Sequence, residues 1–584
     1  VNRSGLLRYA RNDEACFKIP LLRATPAVHS APGTGPVMQT LAAASLLPGA
    51  AHAGDLSPAD AAVKCSDWSW EKPVIVPAAE IKQTVNTDVL VIGAGLSGIV
   101  AALSAAEQGA KVIVVDKNRT PAARGGHITA FGSKLQKEMG VKCDYRQIIR
   151  QWVVWAQGRV DEKLLWDFAR KSGACMDWTL DHATKKGLKA TLWEGYYKGP
   201  EYTEHPVTHI FYEDGADLSY VYGNSKGIGN VTLVPALEKA AQEAGVTFAY
   251  RTPAVKLLRE GKGRVTGIIT GKKGNYTQYN ASKGVIIATG DYASNREMVK
   301  RYSPFTLRAD AQIYFPNKCN TGDGHIMALQ AGGDMQRHEP HAAVIHLEAG
   351  AASYGFLHVN ANGERFMNED VNTQSKSCDK ELQPHGVAWS VYDAKWLEQV
   401  KSQVDANLAG GLFYGQMWQP WGKGWNQEVE KMTQDAHIKD GKVLVANTLE
   451  ELAQKMKVPV DNFLKTVKRY NELYENKNDD DYGKRAVLLT PISTGPFYAG
   501  KLASTTLTMV GGIRTDSSLQ VLDKEGKRVE GLYVVGSAAG EFFANDYPTI
   551  CPGIGHGRCI TFGRMAGIKA AGGDVDKLIP SLKI

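Results

Sequence analysis

The chain has 584 residues, enough for two to four domains with well-filled cores. Its apolar fraction of 43% and charged fraction of 22% are those of an ordinary globular protein. The formal net charge is +7, but residues 1–53 hold five Lys/Arg against two Asp/Glu and supply +3 of it. The +4 that remains is too little to argue for nucleic acid or membrane adhesion.

Cysteines occur at 16, 65, 143, 175, 319, 378, 551 and 559, and no two lie at CxxC spacing. Iron–sulfur clusters, structural zinc and c-type haem therefore find no support, and no metal site is expected. At the N-terminal end, Arg3, Arg8, Arg11 and Arg23 precede a moderately apolar run from Val37 to Ala50, which closes on Ala51-His52-Ala53. That small-x-small ending reads residues 1–53 as a signal or targeting segment and the protein as exported to the periplasm or cell envelope. The alternative is a cytoplasmic protein with an Ala/Pro-rich tail. No Arg-Arg pair is present, and no run of about 20 apolar residues is available for a membrane span. Residues 54–81, with Pro58, Pro73, Pro77 and the Trp68-Ser69-Trp70 pair, read as a linker against the first domain.

The most informative stretch is Thr87 to Asp116. Val89-Leu90-Val91-Ile92 predicts a strand buried on both faces, followed by Gly93-Ala94-Gly95-Leu96-Ser97-Gly98, a helix, and a second apolar run from Val112 to Val115. Gly93 permits a tight turn, Gly95 lets the backbone approach a pyrophosphate, and Gly98 lets helix and strand pack closely. The helix N-terminus presents free N–H groups to phosphates, and Asp116 sits where an acid takes a ribose hydroxyl. Arg124-Gly125-Gly126-His127 and Phe131-Gly132 follow as turns that reach a pyrophosphate and a ring system.

Residues 144–187 have helical period, with Trp152, Trp155, Trp166 and Trp178 as core anchors. A helix over Val231–Ala244 leads to short strands at 246–250, 255–258 and 265–269, the last two in a small antiparallel meander, and then to the buried run Gly284 to Gly290. Thr321-Gly322-Asp323-Gly324 opens another helix. Residues 340–494 break the βαβ rhythm, with Trp418, Trp421 and Trp425 and a helical pair over 448–476, and read as an inserted cap. The chain returns through Gly511-Gly512-Ile513 and Gly531 to Gly536 to a last helix beyond Gly557. The expected fold is α/β: a Rossmann-like dinucleotide-binding domain over 82–339 and 495–584, parallel sheet plus meander, with an α+β cap over 340–494.

GAGLSG with Asp116, then IIATG, TGDG, NANGERFMNE, TMVGGIRTD, GLYVVGSAAGEFF and HGRCITFGRMAG resemble, in that order, the FAD-binding domain shared by fumarate reductases, urocanate reductase and 3-ketosteroid dehydrogenases. Within it the chain resembles most the exported, haem-free FAD-dependent reductases of anaerobic bacteria. The resemblance implies non-covalent FAD, a cap over it, and hydride transfer at a C=C or CH–CH bond. With the fingerprint it gives a cofactor-binding set: Gly93, Ala94, Gly95, Gly98, Asp116 and Lys117; Arg124, Gly125, Gly126, His127 and Gly132; Val255, Ala288, Thr289 and Gly290; and Asp323, Gly536, Glu541 and Gly557. No second glycine fingerprint sits in a βαβ setting, so an external electron donor, such as a membrane quinol-linked cytochrome, is expected.

For chemistry, the arginine that acts as acid in fumarate reductases falls in Asp370-Val371-Asn372-Thr373-Gln374, their histidine at about Thr508, and a further arginine near Ile550. With all three missing, a C4-dicarboxylate is not the expected acceptor. Arg365, in GERFMN, is read as an ion pair bracing the cap with Glu364 or Glu369. Tyr547 resembles the carbonyl-polarising tyrosine of the ketosteroid dehydrogenases, and a phenol suits proton donation to an enone. Arg558 is expected to hold a flavin or substrate oxygen and His556 to contact flavin or move a proton. His338 and His341 are weaker substrate contacts. The reading is an FAD-dependent reductase of an activated C=C bond in a small organic acceptor. The alternatives are a 3-ketosteroid-type dehydrogenase or a flavin electron-transfer subunit.

Overall fold

The computed structural model describes residues 68–193, 203–216, 218, 227–313, 318–339, 343–348, 354–406, 427–544 and 546–584. The expected targeting segment over 1–53, His341 and the aromatic cluster at 413–425 lie outside them.

The central sheet grows from the fingerprint. Ile81–Ile92 pairs in parallel with Val112–Val115 on one side and Asn275–Ile287 on the other. Thr247–Ala249 and Arg528–Val534 extend it, also in parallel, and Gln520–Leu522 closes the far edge antiparallel. Ala254–Arg259 and Val265–Lys272 form the antiparallel meander on Asn275–Ile287. Val89 to Ile92 and Val112 to Val115 are buried without alternation, as a sheet covered on both faces requires. One face carries Leu96–Ala106, Glu162–Lys185, Asn230–Glu243 and the last long helix, Ile554–Ala570. On the other face, Trp68 and Trp70 stack at 5.0 Å among the apolar residues that cover the sheet, which pins this stretch against the domain.

A second sheet lies away from the first, in the antiparallel order Leu357–Asn360, Ala388–Tyr392, Phe497–Lys501, Val443–Ala446. The helices Leu449–Met456 and Val460–Asn476 bury Leu452, Met456, Phe463, Val467 and Tyr470 against it. Phe497–Lys501 belongs to this sheet although the composition assigned it to the returning segment. Its burial serves a face built from strands and helices between Leu357 and Asn476, which local pattern does not reveal. Ala503–Met509 then pairs with Ala343–Glu348 and Ala311–Gln312, leading the chain back.

Among the described residues no helix is long and apolar enough to cross a membrane, and no cluster of His, Cys, Asp and Glu is placed to hold a metal.

Candidate active site

The fingerprint glycines act through different constraints. Gly93 has φ +107°, and a Cβ at Gly98 would collide with the Gly93 carbonyl oxygen, so both are demanded by the fold. Gly95 has an ordinary φ of −83°, and a Cβ there would meet nothing within 4 Å. Its bare backbone instead keeps open the space before the Leu96–Ala106 helix, whose cap offers no side chain to the first-turn N–H groups. Open space, free donors and the positive end of the helix dipole fit a pyrophosphate.

The other parts of the cradle converge here. Asp116 is buried, its Oδ2 accepting from the Ala94 N–H and its Oδ1 from the Asn118 N–H, both at 2.7 Å. Each oxygen keeps a lone pair for a ribose hydroxyl. The Ala288 N–H donates to the Ile92 carbonyl at 2.8 Å, setting Thr289 and Gly290 beside Gly93. Asp116 also bonds through its backbone to Ala249 and Thr252, which brings in the turn leading to Val255. Gly536 abuts the Ser97 side chain. Lys117 Nζ donates to Asp323 Oδ2 and Thr321 Oγ1, both at 2.7 Å, tying the 321–324 turn to the same strand tip.

A second group forms around the last helix. Asn230 donates to the carbonyls of Gly125 and Arg124 at 2.9 and 2.8 Å, and Arg124 Nη1 to that of Leu507 at 2.9 Å. Gly126 is buried, and Gly557 packs on the Thr129 carbonyl. The His556 ring lies over Gly125, and its Nδ1 is 2.9 Å from the His127 carbonyl. A carbonyl only accepts, so Nδ1 carries the proton and Nε2 is an acceptor. Burial lowers the His556 pKa to about 4. Near neutrality this ring accepts a hydrogen bond and does not supply a proton. Burial and the neighbouring His556 lower His127 to about 3, and its ring stands edge-on to Trp193 at 5.1 Å.

Two further residues of the expected set have these protein partners. Gly132 donates to the Tyr145 hydroxyl at 3.0 Å and faces Leu582, a packing reason for its missing side chain. Glu541, at φ +66°, is strapped by its backbone to Asp161 and Gln336, with its carboxylate 3.5 Å from Arg514 Nε.

At the other end, the Tyr547 hydroxyl accepts from the Gly555 N–H at 3.1 Å, and burial pushes this phenol above its ordinary pKa. Phe543 lies 5.0 Å from the Tyr547 ring and takes the Arg558 guanidinium on its face at 4.5 Å. Arg558 is wholly buried and donates from Nη1 to the Ala539 carbonyl at 3.1 Å. Its Nε and Nη2 have no hydrogen-bond partner among the described residues. Burial draws its pKa down to about 10, which leaves it charged. A buried cation with two idle donors fits an oxygen-rich group bound beside it. Arg558→Met is therefore expected to leave the melting temperature of flavin-free protein equal or higher, since an unpaired buried charge is removed. Turnover of the loaded protein should fall at least about tenfold, the worth of one charge-assisted hydrogen bond.

Sequence reasoning missed a set beside Tyr547. Asp546 accepts from Trp155 Nε1 at 2.7 Å and Gln374 Nε2 at 2.6 Å. Trp155 had been read as packing. The signal for Gln374 was its place in the segment where the arginine is missing.

Arg365 forms the expected brace and more. It donates to both oxygens of Glu369 at 2.9 and 2.8 Å and to both of Asp479 at 3.0 and 2.8 Å, with all three side chains buried. Burial alone would raise the Asp479 carboxyl, but the Arg365 bonds and the Lys484 and Tyr482 amides hold it at about 2. Its stabilising contribution is thus complete above the ordinary carboxylate pKa near 4 and is lost as pH falls toward 2. Arg365→Ala should cost about 3–5 kcal/mol in denaturant unfolding, by leaving two buried carboxylates short of a partner.

Parallel sheet, phosphate-ready helix and spaced acid define a dinucleotide-binding protein. The chain belongs to the FAD binding domain family, whose model matches residues 88–552, and FAD is its cofactor. It is 28% identical over 513 residues to a vinyl phenol reductase of Lactiplantibacillus plantarum, covering 83% of this chain and 96% of the relative. It is also 28% identical over 546 residues to a probable fumarate reductase of Shewanella frigidimarina, covering 90% and 82%. Among solved structures, the open conformation of a flavocytochrome c3 fumarate reductase superposes with a TM-score of 0.63 at 25% identity, covering 89% of this chain and 85% of the other. The chain is accordingly an FAD-dependent oxidoreductase of the class that acts on C=C and CH–CH bonds.

Proposed function

We propose that the protein reduces an activated C=C bond of a small organic acceptor, with Tyr547 as the proton donor. The observation that carries this reading is the Tyr547–Gly555 pair, a neutral phenol buried beside a backbone N–H. The amide holds the phenol oxygen by a hydrogen bond, and a phenol so placed suits proton donation to an acceptor oxygen or the carbon beside it. Bound FAD supplies hydride exchange. The cradle from Gly93 to Asp116 holds the dinucleotide, Arg558 offers its idle donors to an oxygen of flavin or acceptor, and His556 Nε2 accepts a hydrogen bond. FAD is held without a covalent link, a reading supported by the place of His127 after Gly125-Gly126 and not before them. The sheet at 357–501 with its helices is the cap over the acceptor. The vinyl phenol reductase among the relatives supports an alkene conjugated to an oxygenated ring.

The same tyrosine and amide also suit a ketone, which keeps a dehydrogenase of the 3-ketosteroid type as the second reading. Electrons come from a separate donor, for which a quinol-linked cytochrome is the proposal. The apolar run ending at Ala51-His52-Ala53 supports export to the cell envelope. The test is an anaerobic steady-state screen with a reduced viologen dye against enones, enoates, vinyl arenes and steroids. Turnover with an alkene is expected, and steroid oxidation without alkene reduction would favour the second reading.

A further inference from the structure

Gln374 lies in the first turn of the Thr373–Glu381 helix and is 8% exposed. Its amide is locked by a neighbour. Asp546 Oδ2 accepts from the Trp155 indole N–H, and Oδ1 accepts from the Tyr547 backbone N–H at 2.7 Å as well as from Gln374 Nε2. Indole and backbone N–H groups can only donate, so both oxygens of Asp546 act as acceptors and the ionised carboxylate matches them. A carboxylate cannot donate to a carbonyl oxygen. The Gln374 amide is therefore fixed with its nitrogen toward Asp546 and its oxygen turned the other way. That Oε1 is buried and has no hydrogen-bond partner among the described residues. An oriented, desolvated acceptor without a donor is costly unless a bound molecule supplies one.

We propose that Gln374 determines acceptor specificity: its Oε1 takes a hydrogen bond from an O–H or N–H of an uncharged alkene, with Asp546 as the residue that orients it. The assignment rests on the reductase reading of this same site and gives it a substrate class. An acceptor carrying a carboxylate at this end would bring its charge against Asp546 and against the partial negative charge of Gln374 Oε1, with no compensating donor from that amide. A hydroxyl satisfies Gln374. A methyl ether of the same molecule leaves Oε1 unsatisfied.

The test compares binding of 4-vinylphenol and its methyl ether to the oxidised, FAD-loaded full chain, by calorimetry and by perturbation of the flavin band. The phenol should bind roughly 10- to 100-fold more tightly than the ether, the worth of the hydrogen bond plus the cost of leaving the acceptor bare. In Gln374→Met the ratio should fall to about 1–3. Asp546→Asn, whose amide can present a donor to Gln374 and let it turn, should collapse the ratio too. Flavin content per protein reports that each variant is folded. Equal binding of the two ligands by the wild type, or an unchanged ratio in Gln374→Met, overturns the proposal. So does a Gln374→Met protein that loses FAD while its ratio holds, since Oε1 would then serve the flavin. Phenol-selective binding with no flavin reoxidation by either alkene overturns the reductase reading and leaves the Gln374 assignment standing.

Discussion

Gly95→Leu is expected to give a folded protein that no longer retains flavin. The position has an ordinary backbone angle and open space where a side chain would go, so the polypeptide loses nothing by accepting one. What it loses is the approach of a pyrophosphate to the free N–H groups of the Leu96–Ala106 helix. Two or three charge-assisted hydrogen bonds go with it, and FAD affinity should drop by at least about 100-fold. Gly98→Ala makes the opposite prediction. Its Cβ would strike the Gly93 carbonyl, so this smaller change should lower the thermal midpoint, by about 1–3 kcal/mol in stability. Flavin absorbance per protein and the melting curve, read together, separate the two. A yellow Gly95→Leu protein would contradict the cradle.

Tyr547→Phe should retain FAD and its reduction by a viologen while losing turnover by roughly 100- to 10,000-fold, the range for removal of a positioned general acid. The ring stays, so its packing on Phe543 is kept and only the hydroxyl beside Gly555 goes. The raised pKa of the buried phenol adds a pH signature. A group whose pKa lies above the ordinary value near 10 stays protonated throughout neutral pH. The wild-type rate should therefore show no alkaline limb below about pH 10 from this residue. A single-turnover rate unchanged in the variant would remove Tyr547 from the mechanism.

The legible and illegible parts of this protein differ in the range of the interactions behind them. Thr87 to Asp116 could be read because its strands, turn and helix are adjacent and each demand falls on one residue type. Tyr547 was singled out through the resemblance and Arg558 from its place before the last helix, but their surroundings could not be read. Nothing local says that Arg558 sits on Phe543 with two nitrogens idle, or that His556 bonds through Nδ1 and so keeps Nε2 as an acceptor. Trp155 and Gln374 reach Asp546 across 391 and 172 residues. Their contact depends on how the Thr373–Glu381 helix sets down on the Tyr547 segment, which no periodicity records. Arg365 shows both sides. Its partner four residues on, Glu369, was one of the two expected, while Asp479, 114 residues away, was not expected.

The central claim is the reduction of an alkene, and anaerobic single turnover tests it most directly. Fully reduced wild-type protein, freed of excess dye, is mixed with a vinyl arene or an enone while the flavin spectrum is followed. Reoxidation is predicted with one saturated product per flavin, and it should be slow in Tyr547→Phe. A flavin that stays reduced with every alkene but is promptly reoxidised by a cytochrome would contradict the account and mark the protein as an electron carrier.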